Sequence, residues 1–335
     1  MITIKDIAAL THISPSTVSI VLRGNGDARK ISKETQTRII ETAQKLGYTP
    51  NIQAKVLREG MPARSIITLF WASDIRVHIL SRFLNGLQTS LFLHDYPCEI
   101  QVKPYKINQL KDAMSPHVLL SCNGIIICNS SETDLAFLES QNYNIPIVLY
   151  NRYSAKYATV NMDDKAIGSL PAQIFSQHEK KRPAVLKSPA TFNGMNIRTN
   201  IFEFQLHEKG ISKPQSIITE DSMRGGYDGA MQICQMDPLP DCLLCTSDSI
   251  ALGALKAFYQ KGILIPDQLE IISIGNGNRE TEEFSIPSLS VIKLPMEEMA
   301  DACLQRLYRM LSTFDNTVDS IEFPIQYIAR ESCPE

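Results

Sequence analysis

The sequence predicts an α/β protein that carries a small helical domain at its N-terminus, and three observations support this prediction. Residues 1–48 hold three short amphipathic segments with helix-capping residues. From residue 64 onward, short apolar runs alternate with helical patterns, which predicts parallel sheets with helices on both faces. At 335 residues the chain is too long for a single hydrophobic core, so two or three domains are expected.

The three N-terminal segments predict a helix-turn-helix headpiece. Thr3 and Asp6 form a capping-box pattern, Ser14 can cap a second helix that has Pro15 at its first position, and Ser32 can cap a third. Two short helices joined by a three-residue turn, with a third helix within reach, are typical of this motif. The apolar residues expected to face its core are Ile4, Ile7, Ala8, Val18, Val21, Leu22, Ile39, Ala43 and Leu46.

Charge is distributed unevenly along the chain. Residues 1–60 contain nine basic and five acidic side chains, a net charge of +4, so the remainder carries −7 of the total of −3. A basic head on an acidic body fits nucleic-acid contact confined to one end of the molecule. An ordinary solvated charge pattern would also produce +4, so the charge supports the motif without establishing it.

The apolar runs and the cysteines of the sequence indicate the cellular compartment in which the protein is expected. No apolar run approaches the roughly 18 residues that a membrane span needs, and a helix pattern begins directly at the N-terminus without a secretory signal. We therefore expect a cytoplasmic protein without membrane contact, with its eight scattered cysteines reduced. Cys242 and Cys245 form a C-x-x-C in an apolar run with no second pair, which favours buried strand cysteines over zinc or redox chemistry. No cofactor and no metal are predicted.

The body is expected to form two sheets, because the strand pattern is interrupted near residue 160. Ligands bind such folds at the carboxyl ends of the strands. The predicted strands are Ile66–Trp71, Glu99–Tyr105, Gly124–Cys128, Pro146–Asn151, Pro183–Lys187, Cys242–Thr246, Glu270–Ile274 and Leu289–Lys293.

Three stretches resemble the LacI/GalR family of bacterial transcriptional regulators: "TIKDIAALTHISPSTVSIVLRG", "ISKETQTRIIETAQKLGYTPN" and "IQAKVLREG". The resemblance continues to "YIARESC" near the C-terminus. It implies a headpiece (1–48), a hinge helix and linker (49–60) and a two-lobed, periplasmic-binding-protein-like sensor and dimerisation domain (61–335). The implied N-lobe covers about 61–160 and 292–320, and the C-lobe about 161–291 and 321–335. A similar helical bundle without a DNA role is the alternative.

The resemblance places the second helix of the headpiece in the major groove of DNA. Ser16 and Ile20 match positions that reach base edges, and many relatives carry Arg where this chain has Ile20. Arginine reads guanine through two hydrogen bonds, whereas isoleucine can only contact a thymine methyl or fill space, so the common half-site of the family is not assumed for this chain. The alternative is that Ile20 packs against Arg23 and the third helix. The implied headpiece contacts to bases or phosphates are Ser14, Pro15, Ser16, Thr17, Ser19, Ile20 and Arg23.

The resemblance also implies a hinge helix that orders on the operator and pairs with the hinge of a second subunit. Leu57 matches the leucine that the family inserts into the minor groove, where such a wedge kinks the base step. Asn51, Ala54, Lys55 and Arg58 would line the groove or the backbone. A plain linker is the alternative.

The implied effector site is centred on Arg198. The stretch "RTNIFEFQLHEKGI" resembles a family helix that begins with an arginine gripping the polar groups of the ligand, and a helix start adds a positive dipole. Trp71 either stacks on a sugar or belongs to the core. Asn276 stands where relatives usually carry Asp, which argues against a simple monosaccharide. The implied effector residues are Trp71, Asp74, Asn151, Phe192, Asn193, Arg198, Ser247, Asp248 and Asn276.

The predicted function is a sequence-specific, homodimeric transcriptional repressor of a pseudo-palindromic double-stranded DNA operator. A small metabolite, a sugar or sugar derivative bound between the lobes, would control it by repositioning the hinge helices. The absence of a C-terminal heptad pattern favours a dimer over a tetramer. A body that answers mainly to a protein coregulator is one alternative. An enzyme is another, but no G-x-S-x-G, P-loop, H-E-x-x-H or paired-carboxylate signature is present.

Overall fold

The computed structural model describes residues 2–22, 26–46, 48, 64–73, 79–275, 277–313, 315 and 317–335. The chain divides into two compact units. Unit 1 comprises Met1–Val77, Leu84–Asn161 and Glu298–Ile321, and unit 2 comprises His78–Phe83, Met162–Glu297 and Glu322–Glu335. Some predicted site residues lie outside the described residues: Arg23, Asn51, Ala54, Lys55, Leu57, Arg58, Asp74 and Asn276.

The headpiece consists of α1 (Ile4–Thr11), α2 (Pro15–Leu22) and α3 (Lys33–Lys45). The predicted capping is confirmed. The hydroxyl of Thr3 accepts the N–H of Asp6 at 3.3 Å while the Asp6 carboxylate accepts the N–H of Thr3 at 2.7 Å, which completes the capping box. Ser14 and Ser32 likewise accept amide N–H groups three residues later, at 3.2 and 3.3 Å. These bonds satisfy donors that have no partner inside a helix.

The apolar faces of the three helices meet in one core. Its buried members include seven of the nine residues expected there, while Ile4 and Leu46 are half-buried at its margin. Leu120 from the body of unit 1 joins this cluster. The fully or largely buried members from the headpiece are Ile7, Ala8, Val18, Val21, Leu22, Ile39 and Ala43.

The body alternates strands and helices along the chain. The strands are β1 (Ser65–Ala72), β2 (Cys98–Tyr105), β3 (Gly124–Cys128), β4 (Ile147–Tyr150), β5 (Ala158–Met162), β6 (Pro183–Lys187), β7 (Gln215–Ile218), β8 (Cys242–Cys245), β9 (Glu270–Gly275), β10 (Ser290–Lys293), β11 (Ser320–Phe323) and β12 (Gln326–Ile328). The helices are α4 (Leu80–His94), α5 (Leu110–Ala113), α6 (Pro116–Ser121), α7 (Glu132–Ser140), α8 (Asp164–Gln177), α9 (Asn193–Glu208), α10 (Met223–Ile233), α11 (Asp248–Lys261), α12 (Arg279–Glu283) and α13 (Met296–Thr313).

Within the described residues these strands form two six-stranded sheets, which confirms the α/β prediction. The first has the order β11-β5-β4-β3-β1-β2 and the second the order β12-β10-β9-β8-β6-β7. Neighbours from β5 to β2 and from β10 to β7 run parallel, and β12 runs antiparallel to β10. The carboxyl ends of the parallel strands therefore lie at one edge of each sheet.

All eight predicted strands are present, and the central ones are buried along their length. Every residue of β3 and β8 is buried, as expected for strands covered on both faces. Four of the described strands were not predicted. Of these, β7, β11 and β12 are short, outer and largely exposed, so they lack an apolar run. The fourth, β5, is buried, but its sequence ATVNM alternates apolar with polar residues and does not form an apolar run.

All eight cysteines are free thiols. Cys242 and Cys245 are fully buried in β8, and burial raises the pKa of the Cys98 and Cys122 thiols to about 11. Among the helices that the structure describes, none combines the length and the apolar character needed to cross a membrane.

Candidate DNA-binding and effector sites

The N-terminus of α2 presents a group of hydroxyls at the surface of the headpiece. The Ser14 hydroxyl lies 3.0 Å from that of Ser16 and 2.8 Å from that of Thr17, and Ser14, Pro15 and Ser16 are exposed. Hydroxyls and free amides at a helix N-terminus are suited to phosphate oxygens.

Further along α2 the predicted contact residues are less exposed than the sequence indicated. Ser19 and Ile20 are half-buried, because they flank the face that carries Val18 and Val21 into the headpiece core. An aliphatic side chain in this position retains some surface for apolar contact and has no polar atom for base recognition.

Arg198 is a buried cation of unit 2. Its side chain is 4 % exposed, and its Nε donates to Oδ1 of Asp164 at 2.7 Å. Its Nη2 lies 3.6 Å from the sulfur of Met162, and the Phe192 ring lies 5.6 Å from the guanidinium carbon. Within the described part of the chain, Nη1 makes no hydrogen bond. A planar cation held on one side by a carboxylate and an aromatic ring can offer its remaining donors to a ligand.

The N-termini of two helices, α8 and α9, supply the side chains that surround Arg198. Asp164 is the first residue of α8, two residues after the end of β5, and Phe192 is the N-cap residue of α9. Gly194 allows the two to approach, since a Cβ there would lie 2.2 Å from the Asp164 carboxylate and 2.5 Å from the Phe192 ring. Asn193, another predicted effector residue, is the first residue of α9.

The expectation that the helix begins at Arg198 is wrong. The helix α9 begins at Asn193, which makes Arg198 its sixth residue, in the second turn. The dipole argument therefore does not apply to it, because that effect is confined to the first turn. Asp164 was not predicted, although an acid at the first position of a helix that follows a strand is a recognisable signal.

Ser247 and Asp248 lie at the carboxyl end of β8, and both are engaged inside unit 2. Ser247 caps α11 by accepting the N–H of Ile250 at 3.3 Å and donates to the Asp221 carboxylate. Asp248 accepts the hydroxyl of Ser273 at 2.8 Å and the N–H of Gly277. Asp248 thus holds Gly277, in the segment that follows β9, by a hydrogen bond.

Asp248 belongs to a pair of buried acids. Its burial, and then the nearby carboxyl of Glu282, raise the pKa of Asp248 well above its ordinary value of 3.8. Glu282 also contacts Arg330 at 3.4 Å. The segment after β9 therefore sits beside a carboxyl that tends to hold a proton.

In unit 1 the predicted residues stand at the carboxyl ends of β1 and β4, the two strands on either side of β3. Trp71 is fully buried in β1, where it pairs with Cys128 of β3. Asn151 follows β4, has a positive φ of 52° and donates its N–H to the Val160 carbonyl at 2.7 Å.

Sequence reasoning missed two polar residues at this edge. Asn129 and Ser130 follow β3 directly and are 7 % and 1 % exposed. The side-chain nitrogen of Asn129 and the hydroxyl of Ser130 have no hydrogen-bond partner among the described residues. Buried polar atoms without a partner are uncommon and mark places that a ligand or water can complete. A polar pair directly after an all-apolar strand was the available signal.

Comparison with known proteins agrees with this architecture. The profile "Bacterial regulatory proteins, lacI family" matches residues 3–51, and the profile "Periplasmic binding protein-like domain" matches residues 173–333. A LacI family transcription regulator from Clostridium acetobutylicum, of known crystal structure, is 35 % identical, has a TM-score of 0.76, and covers 80 % of this chain and 100 % of its own.

The chain belongs to the LacI family. This LacI-family regulator is 27 % identical to the probable repressor ExuR of Bacillus subtilis, over 99 % of this chain and 98 % of that protein. It is 25 % identical to the repressor CytR of Escherichia coli, over 89 % and 86 %. The lac repressor dimer bound to operator and the anti-inducer ONPF shares the fold, with a TM-score of 0.72 at 17 % identity over 100 % and 99 % of the chains. The protein is a DNA-binding transcriptional regulator and not an enzyme.

Proposed function

We propose that this regulator is a homodimeric repressor that binds a pseudo-palindromic operator through α2 and releases or tightens it in response to a small polar metabolite. The arrangement around Arg198 carries the metabolite part of the proposal. A guanidinium that is almost fully buried, yet has donors left over after pairing with Asp164, is costly unless a ligand or water uses them.

The DNA part of the proposal rests on the headpiece. Its helix-turn-helix exposes hydroxyls at the start of α2, a position suited to DNA phosphates. Ile20 is half-buried further along the same helix. We propose that Ser14, Ser16, Thr17 and Ser19 contact the operator, and that residues 49–58 form the hinge with Leu57 as the minor-groove wedge.

We propose a sugar or sugar derivative as the effector class. Arg198 offers hydrogen-bond donors and Phe192 an aromatic ring beside them, which is a common way to hold a hydroxylated ring. Two structures of similar fold support the class: one is the regulator CelR in complex with cellobiose, and the other is an Enterococcus faecium regulator with bound ribose.

The test is a titration of effector candidates against the operator complex of the full chain. Sugars, sugar acids, sugar phosphates and nucleosides would be screened first by thermal shift, because a ligand of the native state raises its stability. Arg198→Lys is the informative variant, since a lysine keeps a cation for Asp164 but loses the fork of donors. We expect the effector midpoint to rise at least about tenfold, in line with the loss of a charge-assisted hydrogen bond.

Operator affinity without effector should stay at the wild-type value in this variant. An unchanged midpoint in folded Arg198→Lys would remove Arg198 from the site. If no small molecule acts while a cellular protein changes operator affinity, the coregulator alternative would replace the metabolite proposal.

A further inference from the structure

A second group of chemically reactive side chains lies in unit 2, at the edge of the sheet opposite to Ser247 and Asp248. His178 caps the C-terminus of α8, Glu270 is the first residue of β9, and Cys333 lies in the C-terminal segment after β12. The three elements are far apart in sequence, and nothing in the DNA-binding or effector proposals uses them. The imidazole nitrogen, one carboxylate oxygen and the thiol sulfur all lie within 4.8 Å of one another.

We propose that His178, Glu270 and Cys333 bind one zinc ion, or a similar borderline-soft divalent metal. Nitrogen, oxygen and sulfur from these three residue types are the protein ligands that zinc takes. A carboxylate and an imidazole alone would also suit harder metals, but the thiolate selects against calcium and magnesium.

The spacing of the three atoms fits one face of a zinc tetrahedron. His178 Nδ1 lies 2.8 Å from Glu270 Oε2, Cys333 Sγ lies 3.3 Å from the same oxygen, and the sulfur lies 3.8 Å from the nitrogen. Zinc bonds of about 2.0–2.3 Å at tetrahedral angles put neighbouring ligand atoms roughly 3.4–3.6 Å apart. The nitrogen–oxygen distance would have to lengthen by about 0.6 Å, and the two distances from the sulfur would change by about 0.2–0.3 Å. A water molecule can take the fourth position because the His178 side chain is 22 % exposed.

Surrounding groups hold the three ligands in place. Lys180 Nζ contacts the other carboxylate oxygen, Oε1 of Glu270, at 3.0 Å, which leaves Oε2 aimed at His178 and Cys333. The backbone of Cys333 is fixed by Ser290, whose hydroxyl accepts the Cys333 N–H at 3.0 Å and lies 2.9 Å from its carbonyl. Outer partners of this kind orient metal ligands and sustain affinity.

Binding would join the end of the chain to the sheet. As the zinc–sulfur bond forms, the thiol proton leaves to solvent, and no oxidation is involved. The ion would then link α8, β9 and the C-terminal segment, in addition to the ion pairs of Glu270 with His178 and Lys180 and to the hydrogen bond from the Ile271 N–H to the Ser332 carbonyl. The role we assign to the zinc ion is structural, as a cross-link between three elements of unit 2.

The experiment uses the full chain, stripped with a chelator under reducing conditions and then given zinc chloride. We expect one zinc per chain by mass spectrometry of the metal after dialysis, and a rise in melting temperature of roughly 5 °C. With cobalt chloride, a thiolate-to-cobalt charge-transfer band should appear. His178→Gln and Cys333→Ser should each lose the retained zinc, and Cys333→Ser should also lose the band.

Matched controls lie in the same unit. His207→Gln removes an exposed histidine beside an acid, and Cys234→Ser removes a half-buried cysteine, so both should keep one zinc and the cobalt band. Less than about a tenth of an equivalent in the wild-type chain, measured as retained zinc, would overturn the proposal. Zinc retention by both His178→Gln and Cys333→Ser would do the same. Because the wild-type measurement needs no variant, poor folding of a variant does not leave the question open.

Discussion

At the scale of single residues, Arg198 shows how one side chain combines a structural and a binding role. One nitrogen of its guanidinium is committed to Asp164, and both side chains are about 95 % buried. Breaking such a pair by removing one partner leaves an uncompensated charge, whereas removing both often costs little.

We therefore expect Arg198→Ala to destabilise unit 2 by about 3–5 kcal/mol, and the double variant Asp164→Asn with Arg198→Met to cost clearly less. Denaturant unfolding of the full chain measures both. Arg224→Ala is the control, because its pair with Asp228 is exposed and should shift the midpoint little. Equal destabilisation by the single and the double variant would show that Asp164 is not the partner that matters.

Ile20 is a predicted base-contacting residue of α2 whose side chain has no polar atom. Ile20→Arg should shift the preferred half-site toward guanine at one base pair, because arginine restores a reader with two donors on α2. Binding-site selection from random DNA measures the change, and Ser16 serves as the unchanged neighbour. If the selected sequences and the affinity both stay the same, Ile20 faces the headpiece interior and not the bases.

At the scale of elements, Asp248 holds the segment that joins β9 to α12, because its carboxylate accepts the Gly277 N–H. A Cβ at Gly277 would lie 2.7 Å from the Asp248 carboxylate, so the backbone can approach only because glycine stands there. The raised pKa of Asp248 means that its folded form holds a proton more strongly than the unfolded chain does. The stabilisation that this proton gives to the folded chain is fully present at a pH below 3.8, the ordinary pKa of an aspartate. It is lost as the pH rises through the pKa of Asp248 in the folded chain.

Glu282→Gln should reduce this loss, because it removes the neighbouring carboxyl that helps to raise the pKa of Asp248. Unfolding free energies measured from acid to neutral pH should fall less steeply in the variant than in the wild-type chain. Glu283→Gln is the control, since its side chain is 48 % exposed and belongs to a surface pair with Arg279. Parallel profiles for wild type and Glu282→Gln would contradict the coupling of the two acids.

At the scale of the whole molecule, the proposed dimer fixes the form of the operator. Two identical headpieces related by a two-fold axis should protect two half-sites of opposite orientation, because the symmetry of the protein is imposed on the DNA. Footprinting of the full chain on genomic fragments measures this. Protection of single, asymmetric half-sites at saturating protein would contradict the dimeric mode of binding.

Patterns in the sequence were sufficient for the headpiece helices, for eight of the described strands and for the fold class. The headpiece caps at Thr3, Ser14 and Ser32, and the inward faces of its helices, follow from bonds between residues three or four positions apart. The central strands follow from apolar runs because they are buried on both faces. Local chemistry of this kind is written in consecutive residues, which is why it can be predicted.

Tertiary structure alone decided which distant side chains meet. Asp164 and Arg198 lie on successive helices and become a buried pair only when those helices pack, with Gly194 making room. His178, Glu270 and Cys333 likewise converge from three elements, and no spacing in the sequence relates them. Contacts between residues far apart in the chain depend on how sheets and helices pack, and hydrophobic periodicity records only which face is buried, not what it is buried against.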